Sequence, residues 1–254
     1  MFINELIDTA DAITGWTGLG IKLSPELEKA IELHEAIRWT EVGHGFNIDI
    51  AKLTPADVEA TIHDLAQHIV FAEAVGRLSP RAQAKAQLLD KAARQVVVLG
   101  REFAPEARDQ LAVEFDKHAR AYVDAVQKLP EELTSESLVS AGPDAVSAYS
   151  EAQAEVEHLR QVSGWVSDIR RIPGLGAGED TRVLNVLRPS DIGQLNLLDA
   201  SLYAKVDPVL DRIDRVFVTA AREGIEFGIN LPNEIRDLRQ NNTIQEVSRG
   251  PVYY

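Results

Sequence analysis

Imidazole and carboxylate side chains have the widest chemical reach in this sequence, and the doublet of most interest is His63-Asp64. Imidazole titrates near neutral pH and ligates metals, so a histidine beside a carboxylate is the first arrangement to test for chemistry. Helical spacing puts Glu59 one turn before His63, and Asp64 one turn before His68, so each pair shares a face. His34 falls on the preceding predicted helix. A second arrangement is Glu155-Val-Glu-His158, whose Glu-x-x-His spacing places a carboxylate and an imidazole on one metal in helical di-iron bundles. That chemistry needs a second such motif, and the nearest pairs, Glu59…His63 and Glu114…His118, are spaced four apart instead of three. The isolated pair reads as a solvated face.

A histidine on one helix followed by a His-Asp doublet on the next, here His34 and then His63-Asp64, resembles the HD family of helical metal-dependent phosphohydrolases. The resemblance implies a divalent metal held by His34, His63 and Asp64 that lowers the pKa of a bound water for attack on a phosphoester. Further ligands would come from His118 and an acid such as Asp116 or Asp124. The sequence departs from the family after the doublet, with Leu65-Ala66-Gln67-His68 in place of a small glycine-containing stretch. The plainer reading makes His63 and Asp64 boundary residues beside the apolar stripe at Ile62 and Leu65.

The loop Pro173-Gly-Leu-Gly-Ala-Gly178 has the glycines that let backbone N–H groups approach a phosphate. No predicted strand precedes it, no Gly-Lys-Ser/Thr ends it, and Glu179-Asp180 would repel the anion. Arg170, Arg171, Arg182 and Arg188 make this the least acidic neighbourhood, a candidate contact for nucleic acid or an acidic partner surface, with a solvated hinge as the plainer reading. The tail ending Val252-Tyr253-Tyr254 is a second candidate contact, in cis or on a neighbouring subunit. No His-Glu-x-x-His zinc helix or Gly-x-Ser-x-Gly elbow occurs.

Composition narrows the classes. With no cysteine among 254 residues, disulfides, Cys-ligated zinc, iron–sulfur clusters and thiol nucleophiles are excluded. A net charge of −14 opposes the phosphate attraction that nucleic-acid binders use and disfavours anionic membranes. The N-terminus carries acids where a secretory signal has bases, and no apolar run nears the ~18 residues of a membrane span, so a cytoplasmic location or assembly there into a particle is expected.

These residues need helices to hold them. Ser24-Pro25, Thr54-Pro55, Ser79-Pro80, Ala104-Pro105, Gly142-Pro143 and Asp207-Pro208 read as helix starts, because proline at the first position has no N–H to leave unsatisfied; Ala104 has no capping oxygen, so Pro105 reads as a start or as a kink only. Helices are predicted at about 3–14, 25–39, 55–75, 80–103, 105–128, 143–171, 190–205, 208–223 and 232–240, with Gly76 and Gly224 at C-caps. Each carries one apolar stripe, such as Leu111, Phe115, Tyr122 and Val126, and one stripe per helix makes a bundle. Trp16, Trp39 and Trp165 are expected to pack in it. The residues 46–50, 183–187 and 243–247 alternate or are β-branched, compatible with a small sheet. The expected fold is all-α: a bundle of about nine helices, a minor two- or three-strand β element and an extended tail from 241 to 254. The expected organisation is a main bundle over 1–172, a Gly/Arg hinge over 173–189 and a helical section over 190–240.

The leading expectation for function is a non-enzymatic, homo-oligomeric structural or assembly protein that needs no cofactor and meets other proteins, such as a capsid-associated or head–tail connector component of a phage or prophage. The alternatives are the metal-dependent hydrolase and a helical adaptor that seats a partner helix in a groove.

Overall fold

A computed structural model describes residues 3–41, 59–60, 62–64, 80–176, 182–203 and 208–249. The fold is all-α with a small two-stranded antiparallel sheet. Two compact units are present, one formed by Met1–Thr14 with Ser24–Gly100, the other by Gly15–Leu23 with Arg101–Tyr254. The division therefore falls inside a helix at Gly100, and the Gly/Arg segment 173–189 lies within the second unit.

The first unit contains α1 (Ile3–Thr14), α2 (Pro25–Trp39) and the beginning of α3 (Pro80–Val126). Residues 59–60 and 62–64 are helical as well. The Ser24 hydroxyl caps α2 by accepting from Leu27 N–H at 3.3 Å, with Pro25 at the first position. Leu6, Ala10 and Ile13 of α1, Leu27 and Ile31 of α2, and Val96 and Val97 of α3 are buried, the helical stripes that their spacing dictates. Gly100 has no side chain because Ile13 occupies the space, with Cδ1 2.7 Å from where a Cβ would stand.

In the second unit, α3 is followed by α4 (Ser135–Ala141), α5 (Pro143–Ile169), β1 (Leu187–Arg188), α6 (Ile192–Tyr203), α7 (Pro208–Arg212), α8 (Arg215–Arg222), β2 (Glu226–Phe227) and α9 (Pro232–Arg249). The segment Gly15–Leu23 joins α3 here through a reciprocal pair of bonds. Lys22 N–H donates to Gln110 Oε1 at 2.8 Å, and Gln110 Nε2 donates back to Lys22 O at 3.0 Å. Trp16 and Trp165 are buried edge to face, 5.7 Å apart, whereas Trp39 is 74% exposed with the Arg38 guanidinium 5.6 Å from its ring. The expectation that all three tryptophans pack inside holds for two of them.

Helices expected at 80–103 and 105–128 are one, with Pro105 inside it. Proline in a helix costs about 3 kcal/mol, but Phe103, Ala104, Ala107, Leu111 and Phe115 are all buried along one stripe that breaking the helix would disrupt. Conversely, the helix expected at 208–223 is two. Asp214 takes a positive φ of 65° between α7 and α8, and its carboxylate caps α8 by accepting from Val216 N–H at 3.0 Å and Phe217 N–H at 3.4 Å. The carbonyl of Ile213 accepts from the buried Tyr122 hydroxyl at 2.5 Å, which fixes the chain where the helix breaks. Tyr122, Phe217 and Phe227 pack with ring centroids 5.9–6.3 Å apart. Gly224, at φ 65°, ends α8, and Ile225 N–H bonds back to Ala220 O at 2.9 Å.

The extended tail expected from 241 is instead helical through Arg249, and 250–254 lie outside the described residues. No proline or glycine falls between Pro232 and Gly250, and Asn241-Asn242 alone, the weaker stop signal, does not end the helix. The 243–247 segment is accordingly helical and pairs with no strand, while 46–50 lies outside the described residues. The 183–187 segment supplies one strand's start, with Leu187 opposite Phe227 and Arg188 opposite Glu226.

Two buried asparagines fix this corner. Asn230 Nδ2 donates to Leu184 O at 2.8 Å and Leu187 O at 3.0 Å, while its Oδ1 accepts from Arg188 Nε at 2.8 Å. Asn185 Nδ2 donates to Ser163 O at 2.9 Å and Ser167 Oγ at 2.8 Å, and its Oδ1 accepts from Arg170 at 2.7 Å. Irregular backbone is buried here, and these amides supply the partners that its carbonyls need.

Candidate functional site

The second unit carries a cleft of about 720 Å³ between one face of α3 and the turn and strand that follow α8. Its apolar lining includes Ala119, Val123, Ile225 and Phe227. Asp116, Arg120 and Asp124 stand along the α3 wall, one helical turn apart and all exposed. None of these three makes an ion pair or side-chain hydrogen bond among the described residues. The two other arginines of the cleft are engaged: Arg108 with Glu234 and Asp109, each at 2.8 Å, and Arg188 with Asn230, Glu226 and the Ile229 carbonyl. Apolar floor and uncommitted charges of both signs therefore occur side by side.

The residues singled out from sequence lie elsewhere for the most part. His34 is fully buried on α2, with neither ring nitrogen hydrogen-bonded among the described residues, while His63 and Asp64 are exposed on a helical stretch. Among the described residues, no group of three or more His, Asp or Glu side chains is placed to hold a metal ion. Arg188 and Arg170 are fastened to the two buried asparagines. Arg171 is exposed, 4.0 Å from Asp168, and Arg182 is exposed at the start of a 3₁₀ turn. Val252, Tyr253 and Tyr254 lie outside the described residues, as do residues 177–181 of the glycine loop.

Glu155 and His158 are not a solvated face. They meet His118 of α3 in a half-buried cluster, where His118 Nδ1 lies 2.5 Å from Glu155 Oε2 and its ring stacks 4.2 Å from that of His158. Glu114 approaches the other nitrogen of His118 at 3.8 Å. His158 Nε2 is buried without a partner among the described residues. Sequence spacing within each helix could not reveal this, because the cluster joins α3 to α5.

Burial lowers the pKa of His34 below the usual 6.5, with Arg38 adding to the shift against the opposing pull of Asp11 and Glu35. Burial lowers His158 too, followed by the neighbouring His118, with Glu114 and Glu155 opposing. A folded-state pKa below the unfolded value means that the unfolded chain binds more protons in the window between them. The stability these neutral imidazoles contribute is therefore complete above 6.5 and is lost as pH falls towards the folded pKa. Thermal melts are expected to show a falling Tm between about pH 7 and pH 5, with a shallower fall for His34→Leu. An unchanged pH slope in that variant would assign the effect elsewhere.

No protein-family model matches the chain, and neither a curated protein nor a solved structure matches it; the site is accordingly read from its own geometry.

Proposed function

We propose that this protein is a non-enzymatic assembly protein, a building block that joins copies of itself and other proteins of a particle. The cleft of the second unit carries this reading: an apolar floor lies beside an arginine and two aspartates that have no partner within the described chain. Protein-docking surfaces have this make-up, an apolar centre with a polar rim in which arginine is over-represented. A catalytic ligand, by contrast, needs its donor atom open to metal, water or substrate, and His34 is sealed. The net charge of −14 keeps such a block soluble until a specific contact forms. A capsid-associated or head–tail connector protein of a phage or prophage would suit this charge and surface.

Native mass spectrometry over a concentration series is the test, since it reports subunit number and bound metal together. Dimers or larger oligomers without metal are expected. A monomer at every concentration would remove the self-assembly reading, and stoichiometric metal would favour the hydrolase instead.

A further inference from the structure

The charged row on the α3 wall does not end at Asp124. Gln127 N–H still bonds to Val123 O at 3.0 Å and Lys128 N–H to Ala125 O at 3.1 Å, so the turn after α3 carries the row on to Lys128. Asp116, Arg120, Asp124 and Lys128 thus alternate in sign at four-residue steps, and all four are exposed. Neighbours at this spacing ordinarily pair within their own helix. Here none of the four makes an ion pair or side-chain hydrogen bond among the described residues.

The order of signs has a symmetry consequence. Read from one end, the row begins with an acid; read from the other, it begins with a base. A copy turned end for end therefore offers the complement of every charge. We propose that a second copy of this chain docks α3 against α3 about a twofold axis passing between Arg120 and Asp124, so that each Arg120 meets Asp124 of the partner subunit. Such an isologous contact uses one patch twice and closes as a dimer. The two central pairs lie beside the axis and form at any crossing angle. The outer pairs, Asp116 with Lys128 of the partner subunit, require the two four-residue rows to run side by side, as in the packing class near −50°. Exposed Ala121 and half-buried Val123 flank the axis, and their small size lets the two helices approach closely. The partner's helix would then cover the α3 wall of the cleft.

This inference rests on the assembly reading and specifies its contact. Analytical ultracentrifugation of the full chain tests it by charge exchange. R120D places acids opposite acids and D124R places arginines opposite arginines, so each is expected to raise the dimer Kd by about tenfold or more. Mixing the two variants restores opposite charges at both central pairs and should yield a heterodimer, and the double variant R120D/D124R should dimerise with itself. Circular dichroism checks that each variant stays helical. A wild-type dimer that neither single variant weakens overturns the α3 pairing and leaves assembly through another face. Weakening without rescue overturns this register, and a monomeric wild type overturns both the pairing and the self-assembly reading.

Discussion

Asn230→Ala is expected to cost the protein about 3–4 kcal/mol, well above what loss of a surface ion pair costs. The side chain is 1% exposed and uses both ends of its amide. Removing it strands the carbonyls of Leu184 and Leu187 and takes from Arg188 its buried acceptor. Each stranded buried group costs about 1–3 kcal/mol, because no water replaces the lost partner. In a chain of this size the melting temperature should drop by roughly 6–16 °C. Asn230→Asp is a sharp control, since it keeps the acceptor for Arg188 but turns a carboxylate towards two carbonyls, and it should do no better than alanine. A loss under about 1 kcal/mol in the alanine variant would mean that the corner relaxes to repair itself.

Asp214→Ala is expected to cost about 2–3 kcal/mol, from two separable causes. The carboxylate caps two N–H groups of α8, and the residue holds a φ of 65°, where a Cβ is disfavoured. Asn tolerates this backbone region and can still cap, so Asp214→Asn should stay within about 0.5 kcal/mol of the parent. Glycine relieves the backbone but not the cap, and should fall between. Urea unfolding distinguishes them, with midpoints ranked Asp and Asn above Gly above Ala and similar m-values throughout. Equal losses for asparagine and alanine would show that the Asp214–Arg160 ion pair, at 3.6 Å, matters more than the cap.

The helical character was legible because it is written locally. Pro25, Pro80, Pro143 and Pro208 each stand first in a helix, and the buried stripe of α3 follows the periodicity of its own residues. Misjudged points were those where distant residues decide. Pro105 reads as a stop or a kink until the continuous stripe around it is seen buried, and Asp214 reads as ordinary helix until Tyr122 is seen bonded to the carbonyl before it. The site shows the same limit. The Asp116–Arg120–Asp124 spacing is visible in the sequence, but whether such neighbours pair with each other is decided by side-chain placement. Arg170 and Arg188 suggested an outward-facing basic patch, and only the fold reveals asparagines fifteen and forty-two positions away that hold them. The His118–His158 stack joins two helices, so no reading of either helix alone contains it.

The clasp between Lys22 and Gln110 has an inheritance consequence. Because Gly15–Leu23 belongs with Arg101–Tyr254, while the stretches on either side of it belong with the other unit, the polypeptide passes between units three times. Neither unit is therefore an uninterrupted stretch of gene. A recombination event that swapped one for a homologue at a single crossover would leave Trp165 without Trp16, or Gly100 without the Ile13 that it makes room for.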